Sequence, residues 1–330
     1  MEDRSLVVAT GRSILWATAT NLDRWEVEDV LQGPYAHTLT RDPGDPNHLL
    51  AGTIGHGVYR SVDGGRTWTL TTPPPHPRIF SVAISPTERN EHGGALYIGS
   101  EPSAIFRSYD GGQTWQELAG FHNISSRDSW FYPRRPYTSH VRCIALKPDD
   151  SAVILAGIDI GGVMRSADCG QTWTDHRPGA FKDCHSLQFH PVATERVYQG
   201  AASGVALSRD GGRRWESCGE GMYHHYAWTC AVDALDPGLV YVAAAWGPHY
   251  AHKDDNAMAY IYRRRAKMWA TLAGGLPQPL ESMVYALLTR PGEPGVVYAG
   301  LRNGDIWFSQ DAGDTWQKLP LNLRRIWALA

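Results

Sequence analysis

One eight-residue pattern recurs five times along the 330-residue chain: SVDGGRTW (61–68), SYDGGQTW (108–115), SADCGQTW (166–173), SRDGGRRW (208–215) and SQDAGDTW (309–316). The shared form is S-x-D-x-G-x-T-W. Self-similarity of this kind means that the core is made by stacking copies of one small unit that cannot bury its own apolar face. Each copy reads as a tight hairpin. Its Asp (63, 110, 168, 210 or 311) accepts hydrogen bonds from nearby backbone N–H groups, as in an Asx-turn. Its Gly supplies a positive φ. Its Trp buries on the order of 200 Å² between neighbouring units. These five aspartates are therefore read as structural caps, not as catalysts or calcium ligands. Two weaker copies end at Trp25 (TATNLDRW) and Trp269 (YRRRAKMW). The seven Trp positions, 25, 68, 115, 173, 215, 269 and 316, are spaced by 43, 47, 58, 42, 54 and 47 residues. A four-stranded unit takes about 40–50 residues.

Ahead of the boxes lie apolar strands: LLAGT, LYIGS, ILAGI, VYQGA, VYVAA and VVYAG. Ahead of those lie AHTLT, IFSVAIS, VRCIALKP, CHSLQFHP, AWTCAV and VYALLTRP. A seventh copy of the latter, IWALA, sits at 326–330, after the last box, and the first unit lacks it. This pattern predicts an all-β chain: a single seven-bladed β-propeller of four-stranded antiparallel blades, whose C-terminal strand completes blade 1. Such a "Velcro" closure removes two exposed sheet edges. The expected blades are 4–31 plus 323–330, then 35–72, 78–119, 140–177, 183–218, 226–273 and 282–320. The 13 Trp, 34 Gly and 21 Pro fit many short strands and turns.

The repeated motif resembles the Asp-box (BNR repeat) of sialidases, family 74 glycoside hydrolases, sortilin-type receptors and photosystem II assembly propellers, over nearly the whole chain. The enzymes among them imply glycosidase-like hydrolysis. The assembly propellers imply a non-catalytic scaffold that holds a protein partner.

A formal net charge of −3 gives no electrostatic case for nucleic acid or an anionic membrane. Five cysteines without a CxxC argue against a disulfide framework. The N-terminal MEDRSLVVATG has no basic n-region or long apolar stretch, so no signal peptide is expected and the reading is cytoplasmic. A closed ring leaves no strand edge demanding a partner, which makes a monomer the expectation.

With strands lettered A to D from the axis outward, the Asp-boxes fall in C–D hairpins. The D–A and B–C loops fall on the opposite face, around the mouth of the channel. The longest insertions, 119–140, 216–227 and 246–260, and eleven of the fourteen histidines map to that mouth face. Long loops on a compact scaffold usually carry function. Aligned A strands place one column near the axis: His37, Phe80, Arg142, His185, Trp228, Tyr285 and Trp327. The B–C loops add Arg12, Glu101, Asp159, Trp246 and Arg302.

These residue types suit a small polar ligand, a carbohydrate or a carboxylate, and a hydrolase- or lyase-type reaction. Glu101 and Asp159, on adjacent blades, are candidates for an acid/base pair, or for a nucleophile and acid. His37 and His185 are candidate bases, with Tyr285 beside them. Arg12, Arg142 and Arg302 could clamp a carboxylate through their guanidinium forks, like the arginine cluster of six-bladed sialidases. Trp228, Trp327, Trp246, Phe80 and His140 are the remaining ligand-facing candidates. No dinucleotide or phosphate-loop motif is present. A divalent metal is the one cofactor the histidines admit, with His37, His185 and the His249-x-x-His252 spacing, followed by Asp254 and Asp255, as candidate ligands. In the alternative, scaffold reading the loop residues Trp130, Phe131, Tyr132, Arg134 and Arg135 form the partner contact.

Overall fold

The computed structural model describes residues 4–253 and 255–330; Asp254 lies outside the described residues. Seven antiparallel sheets form a ring of blades, as the repeat predicts. Blade 2 shows the plan: strands Ala36–Asp42, Asp45–Thr53, Val58–Ser61 and Thr69–Leu70, with the Asp-box between the last two. Blade 4 keeps three strands, Val141–Leu146, Val153–Ile158 and Gly162–Ala167, and its fourth shrinks to a bridge between Arg165 and Thr174. Among the described residues no helix is long and apolar enough to cross a membrane.

Closure occurs where the sequence places it. Ala328–Leu329 pairs antiparallel with Arg4–Ala9, Val8 opposite Leu329 and Ala9 opposite Ala328. The Trp327 N–H donates to the Ala9 carbonyl (2.8 Å), and Val7 and Ala330 exchange both backbone bonds at 2.9 Å.

The five boxes share one hydrogen-bond scheme. The Ser hydroxyl donates to Asp Oδ1 at 2.7–2.9 Å. The second residue after the Asp donates its N–H to the Ser oxygen at 2.8–2.9 Å. The N–H four residues after the Asp donates to its Oδ1 at 2.9 Å in every copy. The position after the Asp has φ between 58° and 78° and tolerates Cys169 and Ala312. The next position is always Gly, because a Cβ there would lie 2.5–2.8 Å from a side chain packed against it, such as Val7 at Gly65 or Leu118 at Gly170.

Beside the axis the A–B pairing slips at one point in six blades, between Ala36 and Thr38, Ile79 and Ser81, Val141 and Cys143, Cys184 and Ser186, Ala227 and Thr229, and Val284 and Ala286. The residue stepped over is His37, Phe80, Arg142, His185, Trp228 or Tyr285. A bulge leaves one residue unpaired and re-aims its side chain. The axial column is therefore a ring of β-bulges, with Trp327 completing it from the closing strand.

Candidate functional site at the channel mouth

The bulged side chains touch one another around the mouth. Trp228 stacks on Tyr285 (ring centroids 5.1 Å apart), Tyr285 meets Trp327 (5.1 Å), Trp327 meets His37 (4.5 Å), and His37 meets Phe80 (5.6 Å). Phe80 in turn stacks on His140 at 3.9 Å. Arg142 reaches past blade 5 and lays its guanidinium 4.5 Å over the Trp228 ring, a cation–π contact. Most of this collar is half-buried, and Tyr285 and His185 are buried.

Two acid–base groups sit against the collar. In the first, His140 Nε2 lies 2.7 Å from Asp159 Oδ2, with both residues buried. Burial acts to raise the Asp159 pKa, but the His140 hydrogen bond and the charges of His140, Arg142 and His185 outweigh it and hold the carboxyl below the usual range. Asp159 Oδ1, His140 Nδ1, Arg142 Nε and His37 Nδ1 are buried without a hydrogen-bond partner. Burial, and next the Arg142 charge, push the His37 pKa well below its ordinary value. On blade 5, His185 Nδ1 is 2.8 Å from the Ala227 carbonyl oxygen and its Nε2 is 3.5 Å from Asp183 Oδ1.

The second group is Tyr226–His252–Tyr285. His252 Nε2 is 3.1 Å from the Tyr226 hydroxyl, and Nδ1 is 3.0 Å from the Tyr285 hydroxyl. Burial, then the charges of Arg134, His185 and Arg302, lower the His252 pKa to about 4. A neutral imidazole has one donor and one acceptor, so the two phenols take opposite roles and a proton can pass along the chain.

The remaining candidates are placed as follows. Glu101 is buried, but it faces Arg78 Nε (2.6 Å) and the Thr138 hydroxyl (2.7 Å), so its charge is already matched. Arg302 donates to the His252 carbonyl and lies 5.9 Å from the Tyr285 ring centre. Arg12 is exposed on the turn after the first strand, so the sialidase-like set of three arginines is not drawn into one contact with Arg142. Trp246 stands 68% exposed, edge-on to His224, rather than lining the collar. His249 is exposed on a single helical turn, Pro248–Ala251, while both His252 nitrogens are engaged, so the His-x-x-His spacing does not present two free ligands. Of the candidate metal ligands His37, His185, His249 and His252, it is His185 that meets two carboxylates: it, Asp159 and Asp183 each offer one donor atom, all within 4.8 Å of one another. Trp130 leaves the proposed partner surface. It is buried against Phe121 (5.5 Å), with its indole N–H on the Ser126 hydroxyl (2.9 Å).

Sequence reasoning missed Arg78, Asp183, Tyr226 and Thr138. Register carried the signal for one pair, since Arg78 and Glu101 stand opposite each other on neighbouring strands. Two cavities of about 330 and 370 Å³ lie elsewhere, one by Phe181, Gly204 and His225 and one by Trp16, Arg24 and Arg66. Their charged linings are exposed, so the buried, partly unpartnered groups of the mouth are the better chemical candidate.

Residues 106–117 match the BNR/Asp-box repeat family. Among curated proteins none matches the chain. Similar solved structures include an ancestral GH74 enzyme (16% identity, TM-score 0.65, 95% of this chain and 40% of that one). A GH74 xyloglucanase from Xanthomonas campestris shares 18% identity at TM-score 0.66, over 96% of this chain and 46% of that one. YCF48 bound to D1 peptide shares 18% identity at TM-score 0.60, over 96% and 84%. The chain thus spans less than half the length of those two GH74 structures, and at these identities the likeness speaks for fold. Repeat, blade count and box geometry agree: the chain is a seven-bladed β-propeller that carries Asp-box repeats, one of which matches the BNR/Asp-box repeat family.

Proposed function

We propose that the channel mouth binds a small polar molecule, a carbohydrate or a carboxylate, and acts on it by acid–base chemistry of the hydrolase or lyase type. The observation that carries this reading is the cluster of buried His140, Asp159 and His185 with half-buried Asp183 beside an aromatic collar, with Asp159 Oδ1 and Arg142 Nε unpartnered. A buried polar group without a partner calls for an explanation, and a polar ligand at the mouth supplies one for this cluster. Arg142 is the anion clamp. The Ala227 carbonyl can only accept, so it keeps a proton on His185 Nδ1 and leaves Nε2 as the base. Tyr285, fed through His252, is the proton donor. Trp228 and Trp327 form the stacking platform. Glu101, matched by Arg78, takes a supporting part.

A thermal-shift screen of neutral sugars, acidic sugars and hydroxy acids tests this. A ligand at 100 times its dissociation constant adds about 2.7 kcal/mol. Arg142→Ala and His185→Ala should each abolish that gain, and product analysis of the best ligand should show turnover that Tyr285→Phe slows. A gain that survives both alanine variants rules the mouth out.

A second reading, a scaffold for a protein segment, is favoured by exposed aromatics on the mouth-face loops: Phe131, Tyr137, Tyr223 and Trp246. A stable complex formed with a peptide, unaffected by Arg142→Ala but lost in Phe131→Ala with Tyr137→Ala, would favour this over catalysis.

A further inference from the structure

We infer that Asp159, Asp183 and His185 form a binding site for one divalent transition-metal ion at the mouth of the channel. The inference deepens the reading above and rests on it for the ion's role, though not for the ion's binding.

The site is built from two blades. Asp159 directly follows strand B of blade 4, Val153–Ile158. Asp183 directly precedes strand A of blade 5, Cys184–Phe189, and His185 is the bulged residue of that strand. Three donor atoms, one from each residue, lie within 4.8 Å of one another, and His185 Nε2 is 3.5 Å from Asp183 Oδ1. Ligands at about 2.1 Å from one ion are separated by roughly 3–4 Å, so small side-chain adjustments close the site.

Three further features belong to metal ligands rather than to an ordinary ion pair. His185 gives its Nδ1 proton to the Ala227 carbonyl, which fixes the tautomer and turns the Nε2 lone pair toward the carboxylates. Asp159 is similarly held from behind by His140 on Oδ2, while its Oδ1 is buried and has no partner. Among the described residues His140 is the one basic side chain that ion-pairs with Asp159 within 4 Å; Arg142, over the Trp228 ring, acts on it from farther away. Two carboxylates and one imidazole suit Zn²⁺ or Mn²⁺, mixing the donor preferences of both. Three protein ligands leave coordination positions for a substrate oxygen, and an ion there would polarise it beside Arg142.

The test is calorimetric titration of the chelator-stripped full chain with Zn²⁺ or Mn²⁺ alone, with metal content checked by elemental analysis. One ion per chain is expected. Asp183→Asn, whose side chain is one-third exposed and so perturbs folding little, and His185→Gln should each weaken binding at least tenfold with the thermal midpoint of the free protein within a degree or two of wild type. No binding of either ion at millimolar concentration, or binding unchanged in both variants, overturns the inference. No organic ligand enters this titration, so its failure is separate from failure of the ligand screen.

Discussion

Replacing Asp311 with Ala tests whether the repeated aspartates are structural. Asp311 accepts the Ser309 hydroxyl at 2.8 Å, the Thr315 N–H at 2.9 Å and the Thr315 hydroxyl at 2.5 Å. The carboxylate is exposed, so each bond stabilises toward the low end of the usual range, about 0.7 kcal/mol, and the three together about 2 kcal/mol. Unfolding entropy of about 2.1 cal/mol/K per residue gives roughly 0.7 kcal/mol/K for a chain of this length, so the thermal midpoint should fall by about 3 °C at pH 7. The Thr315 hydroxyl, then its N–H, lower the Asp311 pKa to about 2. A folded-state pKa below the unfolded value of about 3.9 means that the stabilisation is complete above pH 4 and is lost as pH falls through about 2. The gap between wild type and variant should therefore narrow between pH 4 and pH 2. Differential scanning calorimetry at one scan rate, with the same metal and ligand screens run on the variant, measures both. A gap under half a degree at pH 7, a gap that widens on acidification, or loss of mouth-face binding would refute a purely structural role.

Arg78→Ala leaves the Glu101 carboxylate buried with only Thr138, and should cost about 2–3 kcal/mol, with Glu101→Gln in the same chain recovering part of it; additive losses in this double-mutant cycle would deny the pair. Gly157→Ala puts a methyl 2.5 Å from the sulfurs of both Cys143 and Cys184, and should lower stability by about 1–3 kcal/mol in a thermal melt; an unchanged midpoint would show that the two thiols have room to move. Leu329→Ala at the closing strand should cost about 2–4 kcal/mol and raise amide exchange in Arg4–Ala9 first, whereas uniform exchange across all blades would contradict closure as the weak point. In NMR titrations the His252 imidazole should change charge near pH 4, and a midpoint near 6.5 would mean that burial and the nearby charges of Arg134, His185 and Arg302 do not act on it.

What could be read in the sequence divides along the range of the interactions involved. The Asp-box is a contact within eight residues, so Ser309, Asp311, Gly313 and Thr315 announce their own hydrogen bonds. The blade count and closure follow because seven equal units around one axis leave IWALA nowhere else to pair. The axial column was visible by alignment, but its cause was not. A bulge is a property of two strands in register, and no single strand shows that His185 is stepped over while Cys184 and Ser186 are paired. Trp130 misled for a similar reason: an aromatic in a long loop looks like a partner contact until the loop folds back and buries it on Phe121.

Charge matching is where the candidate site changed most. Sequence placed Glu101 and Asp159 as equivalent carboxylates one blade apart, yet the ladder gives them different neighbours. Glu101 stands opposite Arg78 at the end of its hairpin. Asp159 stands just beyond the Val141–Ile158 rung, where the extension brings His140. Arg78 Nε takes Glu101 Oε2 and brings a permanent charge, while the Thr138 hydroxyl takes Oε1, so both oxygens are engaged. A histidine takes one oxygen and leaves the other. The free oxygen of Asp159, whose carboxylate lies by Asp183 and His185, therefore follows from its having one hydrogen-bond partner where Glu101 has two. The double substitution Arg78→His with His140→Arg should leave Glu101 Oε1 on the Thr138 hydroxyl and, by giving Asp159 a permanent cation, abolish metal binding there; metal binding at wild-type strength would refute this account.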